Sequence, residues 1–208
     1  MIDELVKIDG ARSSTLPFAG RLDADRVGAF GHSAGGQAAA HACQIESRLR
    51  ACLNQDGLTA FAPYYLDDGG WGMKQSFMLV VRHTPREQPS PEDLAAVHLT
   101  LEQAQQLIAK LQARQDASLR MTGGGAYRVL IDAANTTHAD FGDLPFLQST
   151  TPSEAARHAQ ILESVRVITR AFFDKALKGS RPPVLAGHGL PKFVEAVQAF
   201  EPAQPPAR

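Results

Sequence analysis

Gly31-His32-Ser33-Ala34-Gly35 fits the pattern G-x-S-x-G. It falls between an apolar stretch, Val27-Gly28-Ala29-Phe30, and an Ala-rich stretch running from Ser33 to Glu46. The first reads as a short strand and the second as a helix. A serine at a sharp strand-to-helix turn is held in strained backbone geometry, and small neighbours relieve the crowding. Such a turn projects the hydroxyl away from the sheet. It also aims the N–H of Ala34, at a helix N-terminus, toward a developing oxyanion. The chemistry expected is attack by Ser33 on a carbonyl carbon. A glycine-rich turn with an incidental serine is the plainer alternative, and the flanking strand and helix weigh against it.

A serine hydroxyl is a poor nucleophile at neutral pH, so it needs a base, and the base needs an orienting acid. In open α/β sheets such groups gather beyond the carboxyl ends of the strands. Asp56 follows Ala51-Cys52-Leu53-Asn54, the expected second strand, and His138 follows Tyr127–Ile131, the expected fourth. His83, closing the expected third strand Phe77–Val81, is either a rival base or a pocket residue. His32 lies inside the turn; its ring is expected to point away from the hydroxyl and is assigned to the pocket. His41 and His158 fall within helices, solvated or packed, and no strand delivers His188. Among acids, Asp67 and Asp68 sit in an irregular stretch, and Asp140 and Asp143 are close to His138 in sequence. Glu87, Glu92 and Asp93 follow the next strand and remain alternatives to Asp56. Phe61, Tyr64, Tyr65 and Trp71 either wall a substrate pocket or pack the end of the sheet.

These residues require a scaffold of alternating strands and helices. Ile2, Leu5 and Val6 suit the exposed end of a helix that stops near Gly10, and Asp56-Gly57 is a turn signal. Residues 58 to 73 read as irregular. Ser90-Pro91-Glu92-Asp93 opens a helix over 91–113, with Leu94, Val97, Leu101, Ala104, Ile108 and Leu111 on one face; it is a lid or plain scaffold. Gly123, Gly124 and Gly125 precede the fourth strand. Thr151-Pro152-Ser153-Glu154 is a capping box opening a last helix with Ile161, Val165, Ile168, Phe172 and Ala176 on one face, ended by Gly179 and Pro182. Short apolar strands separated by helices imply parallel pairing with crossovers. The fold expected is α/β: a mostly parallel sheet of about four strands flanked by helices. It forms a single domain over residues 1–200, and the Pro/Ala-rich tail 201–208 is expected to fray.

The 208 residues, 44% hydrophobic with a formal net charge of −1, describe an ordinary globular chain. No charge bias calls for nucleic acid or anionic lipid, and the apolar runs are too short to span a bilayer. Met1-Ile2-Asp3-Glu4 has neither a basic nor an apolar leader segment, so the expected setting is cytoplasmic. Cys43 and Cys52 are expected as separate buried small hydrophobes, not as a disulfide. No CxxC, HExxH or acidic calcium-loop pattern occurs, so no metal and no cofactor are expected.

At these residues the chain resembles the α/β-hydrolase superfamily, in the branch that looks like platelet-activating-factor acetylhydrolase and related bacterial esterases. Asp25-Arg26-Val27-Gly28-Ala29-Phe30-Gly31-His32-Ser33-Ala34-Gly35-Gly36 resembles the elbow strand and GHSxGG of that branch. Asp56 stands after the very next strand, and Thr137-His138-Ala139-Asp140-Phe141 resembles its late histidine followed by Asp-Phe. The resemblance implies a serine hydrolase cleaving carboxylic esters, with Ser33, Asp56 and His138 as the triad in the family's order. It further implies Ala34 N–H in the oxyanion hole and a small-molecule ester as partner. It extends over roughly residues 1–178 and covers only the second half of that fold. The strands before the elbow strand, and the loop that supplies a second oxyanion donor, have no counterpart. The first strand is therefore expected to expose an edge that a homo-oligomer covers. A non-catalytic binding or assembly subunit, and an acyltransferase or peptidase using the same residues, are the alternatives.

Overall fold

The computed structural model describes residues 2–10, 16–57, 72–83, 91–96 and 98–201. Five strands, β1 (Val27–His32), β2 (Leu49–Gln55), β3 (Ser76–His83), β4 (Ala126–Asp132) and β5 (Val194–Phe200), form one sheet in chain order. The first four run parallel and β5 pairs antiparallel with β4. The helices are α1 (Ile2–Gly10), α2 (Ala34–Ile45), α3 (Pro91–Ala96), α4 (Leu101–Arg120), α5 (Leu144–Leu147) and α6 (Pro152–Lys178), with 3-10 turns at His138–Phe141 and Pro183–Ala186. This is the expected α/β fold.

Alternation along the strands divides the core in two. Ala51, Leu53, Met78, Val80, Val129 and Ile131 pack against Val165, Ile168 and Phe172 of α6. Cys52, Phe77 and Leu79, one residue out of phase, pack with Ala40 and Cys43 of α2 and Leu119 of α4. Both faces of the inner strands are therefore covered, which is why they read as continuous apolar runs. Burying one such side chain contributes about 1.5–3 kcal/mol.

The last helix starts at the expected capping box, where Thr151 accepts from Glu154 N–H, and ends at Gly179 with φ 70°. The expected helix over 91–113 is instead two. A break at His98 (φ 54°) separates α3 from α4, whose own capping box joins Thr100 and Gln103. Val97 and the side chains of Ile108 and Leu111 lie outside the described residues. Ile2, expected to be exposed, is buried beside Ala40 and Leu49, whereas Leu5 and Val6 face solvent.

Two further features overturn expectations. The fifth strand was not anticipated, because Glu195, Ala196 and Gln198 are weak strand formers and the large apolar residues Val194, Val197 and Phe200 fall three apart, so no period-two pattern shows. Cys43 and Cys52 are both fully buried, as expected, but they form a disulfide tying α2 to β2. Their Cα atoms stand 6.1 Å apart, within bridging range. No described helix is long and apolar enough to cross a membrane.

Candidate active site

The turn from β1 into α2 is built by glycines. A Cβ on Gly31 would overlap the Gly35 carbonyl, and one on Gly36 would overlap the Asn54 side chain. Only glycine at both points lets α2 start this close to the strand ends. Ser33 occupies the N-cap position with φ 56° and ψ −123°, a region that L-residues other than glycine avoid. Its backbone is pinned by Ser33 N–H to Gln55 O at 2.9 Å. Serine at an N-cap ordinarily bonds back to the helix. Here the side chain makes no capping bond, and its hydroxyl turns elsewhere.

It turns to His138. Ser33 Oγ lies 2.9 Å from His138 Nε2, and His138 Nδ1 lies 2.7 Å from Asp56 Oδ2. Three residues from three separate loops, up to 105 positions apart in sequence, thus form one hydrogen-bonded chain. Because an ionised carboxylate only accepts, Nδ1 carries the proton, which leaves Nε2 as acceptor toward the serine hydroxyl. Asp56 also has a left-handed backbone, φ 49°, fixed by Asp56 N–H to Val80 O at 2.7 Å. Buried Asn54 braces the same turn by accepting Gly57 N–H at 2.8 Å. The acid side chain is 12% exposed and the imidazole 48%, so the chain of bonds runs from the interior out to solvent. Ala34 opens α2 beside Ser33, where helix N–H groups have no intrahelical acceptor.

No family model matches the sequence, and no curated protein matches it. Among solved structures the fold is similar to that of a ferulic acid esterase from Streptomyces cinnamoneus, with a TM-score of 0.54 at 21% identity. The alignment covers 96% of this chain and 54% of that one. The chain spans about half the length of that esterase. At this identity the likeness is one of fold.

The remaining expected residues divide. His32 packs its ring 4.5 Å from that of His138 and stacks on Phe141 at 5.5 Å. His32 Nε2 is buried without a hydrogen-bond partner. Burial first, and then the neighbouring His138 charge, lower His32 below the ordinary imidazole value. His83 closes β3, but its side chain lies outside the described residues, as do Phe61, Tyr64, Tyr65 and Trp71, Asp67, Asp68 and Glu87, and the side chains of Glu92 and Asp93.

Arg82 was not anticipated. Its Nε donates to Asp56 Oδ2 at 2.9 Å and its backbone N–H to Oδ1 at 3.3 Å. A cation at the carboxyl end of an otherwise apolar strand was the available signal. Asp140, set aside as too near His138, does not touch that ring; it accepts from Thr137 and meets His158.

Proposed function

We propose that the chain is a serine esterase that cleaves carboxylic esters through an acyl-enzyme, in the manner of carboxylesterases, lipases and acetylhydrolases. The observation that carries this reading is the hydrogen-bonded run Ser33–His138–Asp56 ending on a serine in strained backbone geometry. In the proposed reaction Ser33 Oγ attacks the ester carbonyl while His138 Nε2 takes its proton. Asp56 holds the imidazole in the Nδ1–H tautomer and stabilises the imidazolium that forms. Ala34 N–H donates to the tetrahedral oxyanion. His138 then gives its proton to the leaving alcohol, and water repeats the sequence to release the acid. No cofactor takes part in these steps.

The likeness to an esterase supports ester hydrolysis at a general level. The GHSxGG turn and the position of Asp56 support placing it with the acetylhydrolase-like bacterial esterases. Activated acyl esters of graded chain length, assayed with wild type and Ser33→Ala, test the reading: turnover by wild type alone supports it, and equal turnover by both rejects it.

A second reading is a non-catalytic assembly subunit, favoured by the edge position of β1 in the sheet, where Phe30 is 60% exposed. Under either reading a second copy of the chain covers that edge, which sedimentation at rising concentration tests. The Cys43–Cys52 bond favours an oxidising compartment over the cytoplasm.

A further inference from the structure

The segment that carries His138 is held in place at both ends, and Phe141 at its far end packs into the core against α6. The His138 ring is half exposed, so packing against His32 restrains only one side. The start of the segment is tied locally to β4: Asp132 Oδ1 accepts from Ala134 N–H at 3.0 Å and Asn135 N–H at 3.2 Å. Its far end is held differently. Asp140, 1% exposed, accepts Thr137 N–H at 2.7 Å and the Thr137 hydroxyl at 3.0 Å through Oδ2, closing a box around His138. Its other oxygen, Oδ1, accepts from Nδ1 of His158 on α6.

His158 is bonded on both sides. Its Nδ1 donates to Asp140, so Nε2 is an acceptor, and it faces Arg157 Nη2 at 3.3 Å. The same guanidinium uses Nη1 to reach the Asn135 carbonyl at 2.6 Å. Two consecutive residues of α6 therefore grip the His138 segment at two points, Asn135 and Asp140. A buried carboxylate without donors is strongly destabilising. Burial alone would push the Asp140 carboxyl up, but the Thr137 and His158 hydrogen bonds outweigh it and hold it below the ordinary carboxylate range. A capping box alone would fix the turn internally. The bond to His158 fixes it relative to α6, the longest helix, whose apolar face is packed on the sheet.

We propose that His158, acting through Asp140 and assisted by Arg157, is a positioning residue that holds His138 in register with Ser33 and Asp56. The proposal deepens the esterase reading and rests on it for its consequence in catalysis. The contact at stake is the 2.9 Å spacing of His138 Nε2 and Ser33 Oγ, and a displacement of about 1 Å there costs on the order of a hundredfold in rate.

Proton NMR of the chain labelled with ¹⁵N-histidine, paired with the rate of Ser33 labelling by a fluorophosphonate, tests it. Wild type shows two far-downfield Nδ1 protons, one from His138 on Asp56 and one from His158 on Asp140. In His158→Ala the second disappears by construction. The expected result is that the His138 proton also broadens into exchange with water and that labelling slows about 10- to 100-fold. His158→Asn, whose amide N–H can replace Nδ1, restores the His138 signal and brings labelling back to within about threefold. A folded His158→Ala with a sharp His138 signal and wild-type labelling overturns the proposal. Should His158→Ala fail to fold, Arg157→Gln removes only the outer grip, and an unchanged His138 signal there overturns it equally. A wild type that shows both protons but never labels rejects the esterase reading alone, and the NMR comparison still decides the role of His158.

Discussion

Arg82 and His138 donate to one and the same oxygen of Asp56: Oδ2 lies 2.9 Å from Arg82 Nε and 2.7 Å from His138 Nδ1. The carboxylate is thus gripped from the sheet side by a permanent cation and offers its remaining capacity to the imidazole. A hydrogen bond to a charged group is worth about 1.5–3 kcal/mol. Arg82→Met should leave Asp56 free to rotate away from His138. The expected outcome is a fall in kcat of about tenfold with KM little changed, read by steady-state kinetics on an activated ester. An unaltered kcat would show that the backbone alone aims Asp56.

Ser33 carries backbone strain that glycine would not. Residues held at such φ/ψ values cost about 1–3 kcal/mol, while glycine costs about 0.5–1 kcal/mol in unfolded-chain entropy. Ser33→Gly should therefore be more stable than Ser33→Ala, by about 1–2 kcal/mol net. Both should be inactive. Urea denaturation of the two variants side by side reads the difference, and equal midpoints would mean that the turn relaxes without cost.

The parts of this site that the sequence displayed are those whose geometry is local. The turn at Gly31–Gly35 requires small residues at fixed offsets, and the capping box at Thr151–Glu154 spans one helical turn. Asp56 and His138 were legible because each directly follows an apolar strand. What stayed hidden depends on separate elements meeting. Cys43 and Cys52 were legible as buried, but whether two buried sulfurs bond depends on how α2 lies over β2. Arg82 stayed hidden because its partner Asp56 belongs to the turn after a different strand, 26 residues away in sequence. His158 looked like one more packed helical histidine, since nothing near it in sequence names Asp140 as its partner. The strand Val194–Phe200 was missed for the opposite reason: its pairing with β4 overrides a sequence with weak strand propensity.

The Cys43–Cys52 bond closes a short loop between α2 and β2, with the two residues nine positions apart. Loop closure of this length contributes about 2–3 kcal/mol by restricting the unfolded chain. Reduction should lower the midpoint of thermal unfolding by about 5–10 °C, without altering the Ser33–His138 contact. Scanning fluorimetry with and without a phosphine reductant measures it; an unchanged midpoint would show that the bond does not form in solution.

Asp140 should shape the acid limb of stability. Its folded value lies below its unfolded value, because the donors from Thr137 and His158 favour the charged form. Stabilisation from such a group is fully present above the unfolded carboxylate value and is lost as pH falls through the folded one. Asp140→Asn should therefore be less stable than wild type near neutrality, and the gap should narrow as the medium is acidified below about pH 4. Denaturation curves at pH 7 and pH 3 test this; a gap that does not change with pH would assign the effect to shape and not to charge.

Esterase chemistry at this site requires an activated Ser33, and intact mass after treatment with a fluorophosphonate tests that most directly. Wild type and Ser33→Ala are treated side by side at neutral pH. The predicted result is a single adduct on wild type and none on the variant, since only a serine with its proton drawn to His138 is reactive enough to be phosphonylated. Absence of an adduct on wild type, or an adduct of equal extent on Ser33→Ala, would contradict it.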